Sequence, residues 1–305
     1  LRSDLDIFLE RSNKDTYLKI FSDSMNESKI KPKNNDVLKS GFNFFLESED
    51  HQFNGGTEIY EDLTKAQNDR YQFVLPYYNY YHSPLKKDYG KINLSSIGSN
   101  ILDNTNNVRT RVVNNLSFSL NENILESIGL KNNLNFYFKN LNSVGKNVST
   151  YKTSPQIELQ SLIELNSELP MIKNTKDKTN TLIPRLSLRI NPGDMKNHSD
   201  LERKINTRNI FDINRLGLTD SLESGNSLTL GLDLNSQDNS NSSNSYNIKL
   251  ASVFRDENEN NIPSQTTLDK KNSNLFGSFD YYLNETVNVD YNFAVDSKME
   301  KFKYN

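Results

Sequence analysis

Val287, Val289, Tyr291, Phe293 and Val295 alternate without a break with Asn288, Asp290, Asn292, Ala294 and Asp296. Side chains of a β-strand change face at every residue, so this stretch can only be a strand with one greasy face and one wet face. The pattern recurs. Leu228, Leu230, Leu232 and Leu234 alternate with Thr229, Gly231 and Asp233, and Leu186, Leu188 and Ile190 with Arg185, Ser187 and Arg189. Leu134, Phe136 and Phe138 form another such run. Strands of about 9–11 residues are what a tilted crossing of a ~30 Å hydrocarbon layer requires. Many of them, with charges confined to one face, predict an all-β, antiparallel up-and-down transmembrane β-barrel.

Composition narrows the field. Of 305 residues, 34% are hydrophobic and 25% charged. That polarity excludes a helical membrane protein, because no apolar run approaches the ~20 residues of a spanning helix. It does not exclude a barrel, whose strands are half polar and whose loops are wet. A net charge of −3 with no basic stripe argues against nucleic-acid binding. There are no cysteines, hence no disulfide, thiolate metal site or cysteine nucleophile. His51, His82 and His198 are widely separated and lack metal-ligand spacing. The 46 asparagines, with abundant Lys and Ile, reflect an AT-rich genome rather than special chemistry. No hydrolase elbow, P-loop or dinucleotide glycine motif is present, so no enzyme and no cofactor is expected.

Strand candidates lie near 4–11, 16–22, 37–49, 52–62, 70–81, 90–98, 108–120, 131–141, 156–168, 181–191, 226–236, 245–255, 274–284 and 286–297, about fourteen in meander order. Asn54-Gly55-Gly56 and Asn284-Glu285-Thr286 have the chemistry of tight connections. The polar stretches 235–245 and 256–273 read as long loops, the first with nothing in it to order it. The segment 192–225, opened by Pro192-Gly193, shows no period and reads as an extended loop, folding inward. Tyr77, Tyr78, Tyr80 and Tyr81, and Tyr281 with Tyr282, suit a girdle at a membrane boundary. Glu47, Glu49 and Asp50 read as a solvated strand end rather than a calcium site. The chain starts without Met and ends just after a strong strand, so it is expected to be a mid-barrel fragment, a curved open sheet forming one partial barrel domain over 1–305.

Faces follow from the alternation. Leu134, Phe136, Phe138, Leu186, Leu188, Leu228, Leu230, Leu232, Val287, Val289, Tyr291 and Phe293 are the candidate lipid-facing set. Asn288 and Asp290 point the other way, as do Arg109 with Arg111 and Arg185 with Arg189, each pair sharing one face of its strand. These arginines can form a lumen wall for anionic groups or pair with the many lumenal Asp and Glu residues. The pairing is favoured, because lipid-facing cations cost about 2–4 kcal/mol at the midplane.

Several local strings fall in a telling order: Asp15-Thr16-Tyr17-Leu18-Lys19, Asp69-Arg70-Tyr71-Gln72 before Val74-Leu75-Pro76, Asn107-Val108-Arg109, Leu182-Ile183-Pro184-Arg185, and Asn209-Ile210-Phe211. The last precedes Asn214-Arg215-Leu216-Gly217-Leu218-Thr219-Asp220-Ser221-Leu222-Glu223-Ser224-Gly225 and then a strand. In order and spacing, over roughly 15–295, these resemble the C-terminal barrel region of the LPS-assembly protein family (LptD, also called OstA or Imp). The resemblance implies an outer-membrane protein of a Gram-negative bacterium that receives lipopolysaccharide from periplasmic bridge proteins and inserts it into the outer leaflet. It implies an LptE-type lipoprotein plug in the lumen and outer-membrane lipid around the wall. The family's N-terminal jelly roll, its terminal seam strands and its cysteines are not recognisable here. Arg215, Asp220 and Glu223 would belong to a loop and strand entry lining the lumen. Two other classes compete: a general porin or TonB-dependent receptor for small solutes, and a soluble β-sandwich adhesin or carbohydrate-binding module.

Overall fold

The computed structural model describes residues 1–10, 37–66, 69–103, 106–149, 151–241, 244–283 and 287–304. The strand expected at 16–22, the Asp15–Lys19 string and the Asn284-Glu285-Thr286 connection lie outside these residues. The described chain is all-β. In order the strands are β1 (Arg2–Phe8), β2 (Val37–Glu47), β3 (His51–Asp62), β4 (Tyr71–Lys87), β5 (Gly90–Asp103), β6 (Asn107–Leu120), β7 (Asn123–Leu125) and β8 (Leu130–Lys146). They continue with β9 (Gln156–Glu168), β10 (Met171–Asn174), β11 (Lys178–Asn191), β12 (Gly225–Asp238), β13 (Ser245–Arg255), β14 (Leu275–Tyr282), β15 (Asn288–Val295) and β16 (Phe302–Tyr304). Among the described residues no helix is long and apolar enough to cross a membrane.

All sixteen belong to one antiparallel sheet, with fourteen following one another in sequence order from β1 to β16. The sheet is open: its order does not return from β16 to β1. The short β7 and β10 pair beside it with β8 and β11. Three or four residues are too few to display an alternation, which is why the sequence pattern does not announce them.

Contacts divide the chain into two compact units: Leu1–Leu85, Ile92–Leu116 and Lys139–Leu159 form one, and Lys86–Lys91, Ser117–Phe138 and Gln160–Asn305 the other. In the first, Leu5 faces Phe44 and Ile7 faces Phe42 across β1 and β2, and all four side chains are exposed. On the opposite face Lys39 meets Glu58 at 2.7 Å, and Tyr77 donates to Asn43 Oδ1 at 3.1 Å. A hydrogen-bonded ladder of Tyr78, Ser96, Asn114 and Asn140 crosses neighbouring strands. Some of the asparagine surplus therefore has a structural use. The tyrosines 77, 78, 80 and 81 lie in the middle of β4 and alternate between its faces, so they form no girdle at a strand end.

Asn54-Gly55-Gly56 is not a turn. It runs inside β3, paired with Phe45, Phe44 and Asn43, and the chain reverses instead between β2 and β3. These glycines serve close approach: a Cβ on Gly56 would stand 2.1 Å from the Phe42 carbonyl oxygen. The stretch 235–245 also departs from expectation. The ladder of β12 with β13 carries on through Asn235–Asn247, Ser236–Tyr246 and Gln237–Ser245, leaving 239–244 as the connection. Asn239 is tied down, donating to the Thr175 carbonyl and accepting from Thr179 Oγ1.

In the second unit the alternation sorts side chains into clean rows. Leu182, Leu234, Ile248, Phe279 and Tyr291 form one row across β11 to β15, on the same face as the row Leu165, Leu188, Leu228 and Phe254. One residue away, on the other face, run Glu164, Arg189, Ser227 and Arg255. Because the strands are antiparallel, the connections 192–224, 256–274 and 296–301 leave from one end. The connections 239–244 and 283–287 leave from the other. The segment 192–224 folds onto the polar face, as expected, and brings its own core. Met195, Ile205, Ile210, Leu216 and Leu218 pack with Ala251, Val253, Phe276 and Ala294 of the sheet. Ile262 and Leu268, from the otherwise polar 256–274, complete the cluster.

Gly56→Ala in the full-length protein tests the close approach. The Cβ meets a backbone oxygen that cannot rotate away, so overpacking should cost about 1–3 kcal/mol. The expected result is a lower unfolding temperature of the heat-modifiable form in gel electrophoresis, with Thr57→Ala near wild type. An unchanged temperature for Gly56→Ala would show that the two backbones separate freely.

Candidate functional site

The most unusual property of the second unit is which face is buried. Leu188, Leu230 and Phe254 are 37%, 43% and 41% exposed, whereas Arg189, Arg215 and Thr229 are 2%, 0% and 0% exposed. A water-soluble sheet does the opposite. The buried face must therefore satisfy every charge it holds.

Most of that charge is met by a clamp, with Arg189 Nη1 and Arg255 Nε left without a hydrogen-bond acceptor among the described residues. Arg215, from the 192–224 segment, donates through Nε and Nη2 to the two carboxylate oxygens of Glu223 at 2.7 and 2.5 Å. Its remaining hydrogens reach Thr229 Oγ1 at 2.9 Å, Ser227 Oγ at 3.1 Å and the Ile210 carbonyl at 3.3 Å. Glu223 also accepts from Arg255 Nη1 at 2.6 Å and lies 3.7 Å from Arg189 Nη1. Arg189 donates to Glu164 at 2.9 Å and to the carbonyls of Phe211 and Asp212 at 3.1 and 2.7 Å. Glu164 is held in turn by Asn166 and Asn135. Three guanidiniums thus share two carboxylates, and β9, β11, β12 and β13 are all bonded to the inward segment.

Local backbone and packing make room for this. Gly225 returns the chain into β12 at φ +75°, with the Arg255 guanidinium where a side chain would stand. Gly231 leaves a space on the polar face that the Phe211 ring fills, and Arg185 stacks on that ring at 4.4 Å. Arg185 also pairs with Glu168 at 2.9 Å and Asp233 at 3.6 Å.

The remaining predicted residues lie elsewhere. Asp220 pairs with His198 at 3.3 Å at the edge of the segment. Arg109 bonds Asp103 in the first unit, and Arg111 shares its face and is also engaged. Asp290 stands opposite Asp280 on the face of β15 that carries Ala294, and Asn288 is next to it in the same row set. Val287, Val289 and Tyr291 are exposed, and Phe293 covers Gly277 across the pair. Leu134, Phe136 and Phe138 alternate with the buried Asn135 and Lys139. Leu186 and Leu232 lie on the face of Leu188 and Leu230. Sequence reading missed Glu164, Thr229 and Arg255. The signal was present: Glu164 interrupts Ile163 and Leu165, and Arg255 continues the Ala251, Val253 series.

The sequence matches LptD, LPS transport system D, over residues 14–305. The chain belongs to the LptD family. No curated protein matches it. LptD proteins are transport proteins of the Gram-negative outer membrane that handle lipopolysaccharide, and the all-β antiparallel sheet has the architecture that membership requires.

In this LptD chain, Ser221, His198 and Asp220 have the composition of a hydrolytic triad but not its geometry. Asp220 and Ser221 Oγ both approach the same ring atom, His198 Nε2, at 3.3 Å. A relay needs the acid on one ring nitrogen and the nucleophile on the other. Among the described residues no group of three or more His, Asp or Glu could hold a metal. Burial pushes the Asp220 carboxyl up, but the neighbouring His198 and Lys196 outweigh it and hold it below the usual carboxylate value. Glu223 is the stronger case. Burial acts against its ionisation, yet Arg215, then Arg189 and Arg255, bring it down to about 2.

Glu223→Ala should cost about 3–5 kcal/mol, the penalty for leaving buried guanidiniums uncompensated. Limited proteolysis at the exposed Arg208 of the full-length protein reads the loss as rapid cleavage. Acid gives the matching titration. A carboxylate depressed on folding stabilises fully above its unfolded value near 4.5 and loses that contribution as pH falls toward 2. Protection at Arg208 should hold from neutrality to about pH 4.5 and weaken progressively as the pH falls from there toward 2. Release between pH 6 and 5 would show that Glu223 is not the controlling group.

Proposed function

We propose that this chain is the wall of the outer-membrane barrel that inserts lipopolysaccharide into the outer leaflet. The observation carrying this reading is the inverted burial, apolar rows exposed and charged rows covered, in a member of a lipopolysaccharide transport family. Lipid accepts only the apolar set, and the polar set lines an aqueous lumen for the sugar head. On this reading the twelve apolar positions from Leu134 to Phe293 named above contact acyl chains. Arg109, Arg111, Arg185, Arg189, Arg215, Asp220, Glu223, Asn288 and Asp290 belong to the lumenal side. An LptE-type lipoprotein occupies the lumen, and periplasmic bridge proteins supply the substrate through a domain preceding this one. The long connections 192–224 and 256–274 are extracellular and the short 239–244 and 283–287 periplasmic, following the usual asymmetry of such barrels.

Leu232→Arg separates membrane from water. In lipid it should cost about 2–4 kcal/mol and block assembly, with lipopolysaccharide failing to reach the cell surface. On a soluble sheet the same exposed substitution should be neutral within about 0.5 kcal/mol. Normal assembly and delivery would refute the membrane reading. Orientation has its own test: a protease site inserted at Asn241 should be protected in intact cells and cut after permeabilisation. Cleavage on whole cells would invert the topology.

A further inference from the structure

At the end of the second unit where the long connections 192–224 and 256–274 gather, they meet the shorter connection 296–301 around a cleft of about 780 Å³. The segment 192–224 contributes Arg203 and Lys204, 256–274 contributes Lys270, and 296–301 contributes Lys298 and Lys301. Two acidic residues, Asp296 and Glu300, also line it. Five cations against two anions leave a formal charge of +3, in a chain whose total is −3. The Asp296 carboxylate is turned into its own loop, where Oδ1 accepts the backbone N–H groups of Glu300 at 2.8 Å and Lys301 at 3.3 Å. Lys270, Lys298 and Lys301 are exposed and make no salt bridge among the described residues.

The cations are distant in sequence and are brought together by rigid parts. Ile205, Ile262 and Leu268 are fully buried beneath the connections that carry them. Arg203 Nε donates to the Arg215 carbonyl at 2.9 Å, which fixes the cleft to the clamp. Thr267, a β-branched residue at φ +59°, holds a strained turn on the rim while its Oγ1 accepts from the Asn274 N–H at 2.9 Å. Clustered Lys and Arg around an open, hydroxyl- and amide-lined space are the chemistry of phosphate recognition.

We propose that this cleft binds the phosphate groups of the lipopolysaccharide headgroup at the mouth of the barrel. This rests on the transport reading above. The excess charge draws the anionic head out of the lumen, and the attraction is screened by salt because the lysines are exposed.

The test uses the full-length protein in complex with its lipoprotein partner in detergent. Binding of phosphorylated lipid A, chemically dephosphorylated lipid A and inorganic pyrophosphate is measured for wild type, for Lys270→Glu/Lys298→Glu/Lys301→Glu, and for the matching Lys→Gln triple. Lys173→Glu/Lys176→Glu/Lys178→Glu at the opposite end is the charge control. The cleft Glu triple should bind phosphorylated lipid A at least tenfold more weakly, the Gln triple should fall in between, and the control should match wild type. Dephosphorylated lipid A should not distinguish them. Heat-modifiable migration identifies any variant that misfolds, and the Gln triple then decides. Equal affinity of cleft variants and wild type overturns the proposal. So does pyrophosphate binding in the cleft that phosphorylated lipid A cannot displace, which would make it a free-anion site. Surface delivery of lipopolysaccharide is scored in parallel: failure by the wild type sinks the transport reading, whereas delivery with unchanged binding sinks only the cleft.

Discussion

A guanidinium and a leucine one residue apart on the same strand need opposite surroundings, and the second unit is organised around supplying both. Arg189 lies between Leu188 and Ile190, and Arg189 is buried while its neighbours are exposed. Burying an arginine without a counter-charge costs several kcal/mol, so the polar face needs carboxylates and carbonyls at fixed positions. The sheet itself supplies Glu164. The rest of Arg189's partners come from the inward segment: Glu223, and the carbonyls of Phe211 and Asp212. The fold of 192–224 therefore follows from the charges on β11 to β13. Its apolar residues then cover the small patch of Ala251, Val253, Phe276 and Ala294 that the polar face also contains.

This division of labour explains why buried charge is tolerable here. An isolated ion pair in a core is often replaceable by apolar side chains without loss. In the clamp, Arg189 and Arg215 each satisfy acceptors on different elements, so the ions fix register between strands and segment as well as offsetting one another. Arg215 alone reaches Glu223, Ser227, Thr229 and the Ile210 carbonyl. Apolar packing could not specify that position, because the sheet face beneath is mostly polar.

The strands were largely legible, because period-two alternation is a local property: Leu228 to Leu234 and Val287 to Val295 announce faces that the pairing confirms as rows. Arg185, Arg189 and the Arg215–Gly225 stretch were also visible as candidates. What stayed hidden depends on distant residues. Asn54-Gly55-Gly56 has turn chemistry, but its glycines are explained by the Phe42 carbonyl on another strand. The polar run after Leu234 has loop composition, yet an established register carries it on as strand as far as Asp238. Ile205, Ile210, Leu216 and Leu218 form a core without any period, since an irregular segment has no repeating face. Glu164 and Arg255 gain meaning only when β9 and β13 flank β11 and β12.

Loop lengths add a direction to this arrangement. The connections at one end of the second unit carry the clamp segment and the cationic cleft, whereas those at the other end are short. Buried and exposed charge are joined there by one hydrogen bond, from Arg203 Nε to the carbonyl of Arg215. The clamp's own balance is positive, with three guanidiniums against two carboxylates, and the cleft beyond it is positive as well. An anionic group moving along the polar face toward that end would meet the same sign of charge first in a rigid, desolvated form and then in a hydrated one. Rigid guanidiniums already committed to Glu164 and Glu223 have little capacity to hold such a group, while exposed lysines that make no salt bridge among the described residues have more. On the proposed transport reading, the end that carries the cleft is therefore the end at which such a group would be held.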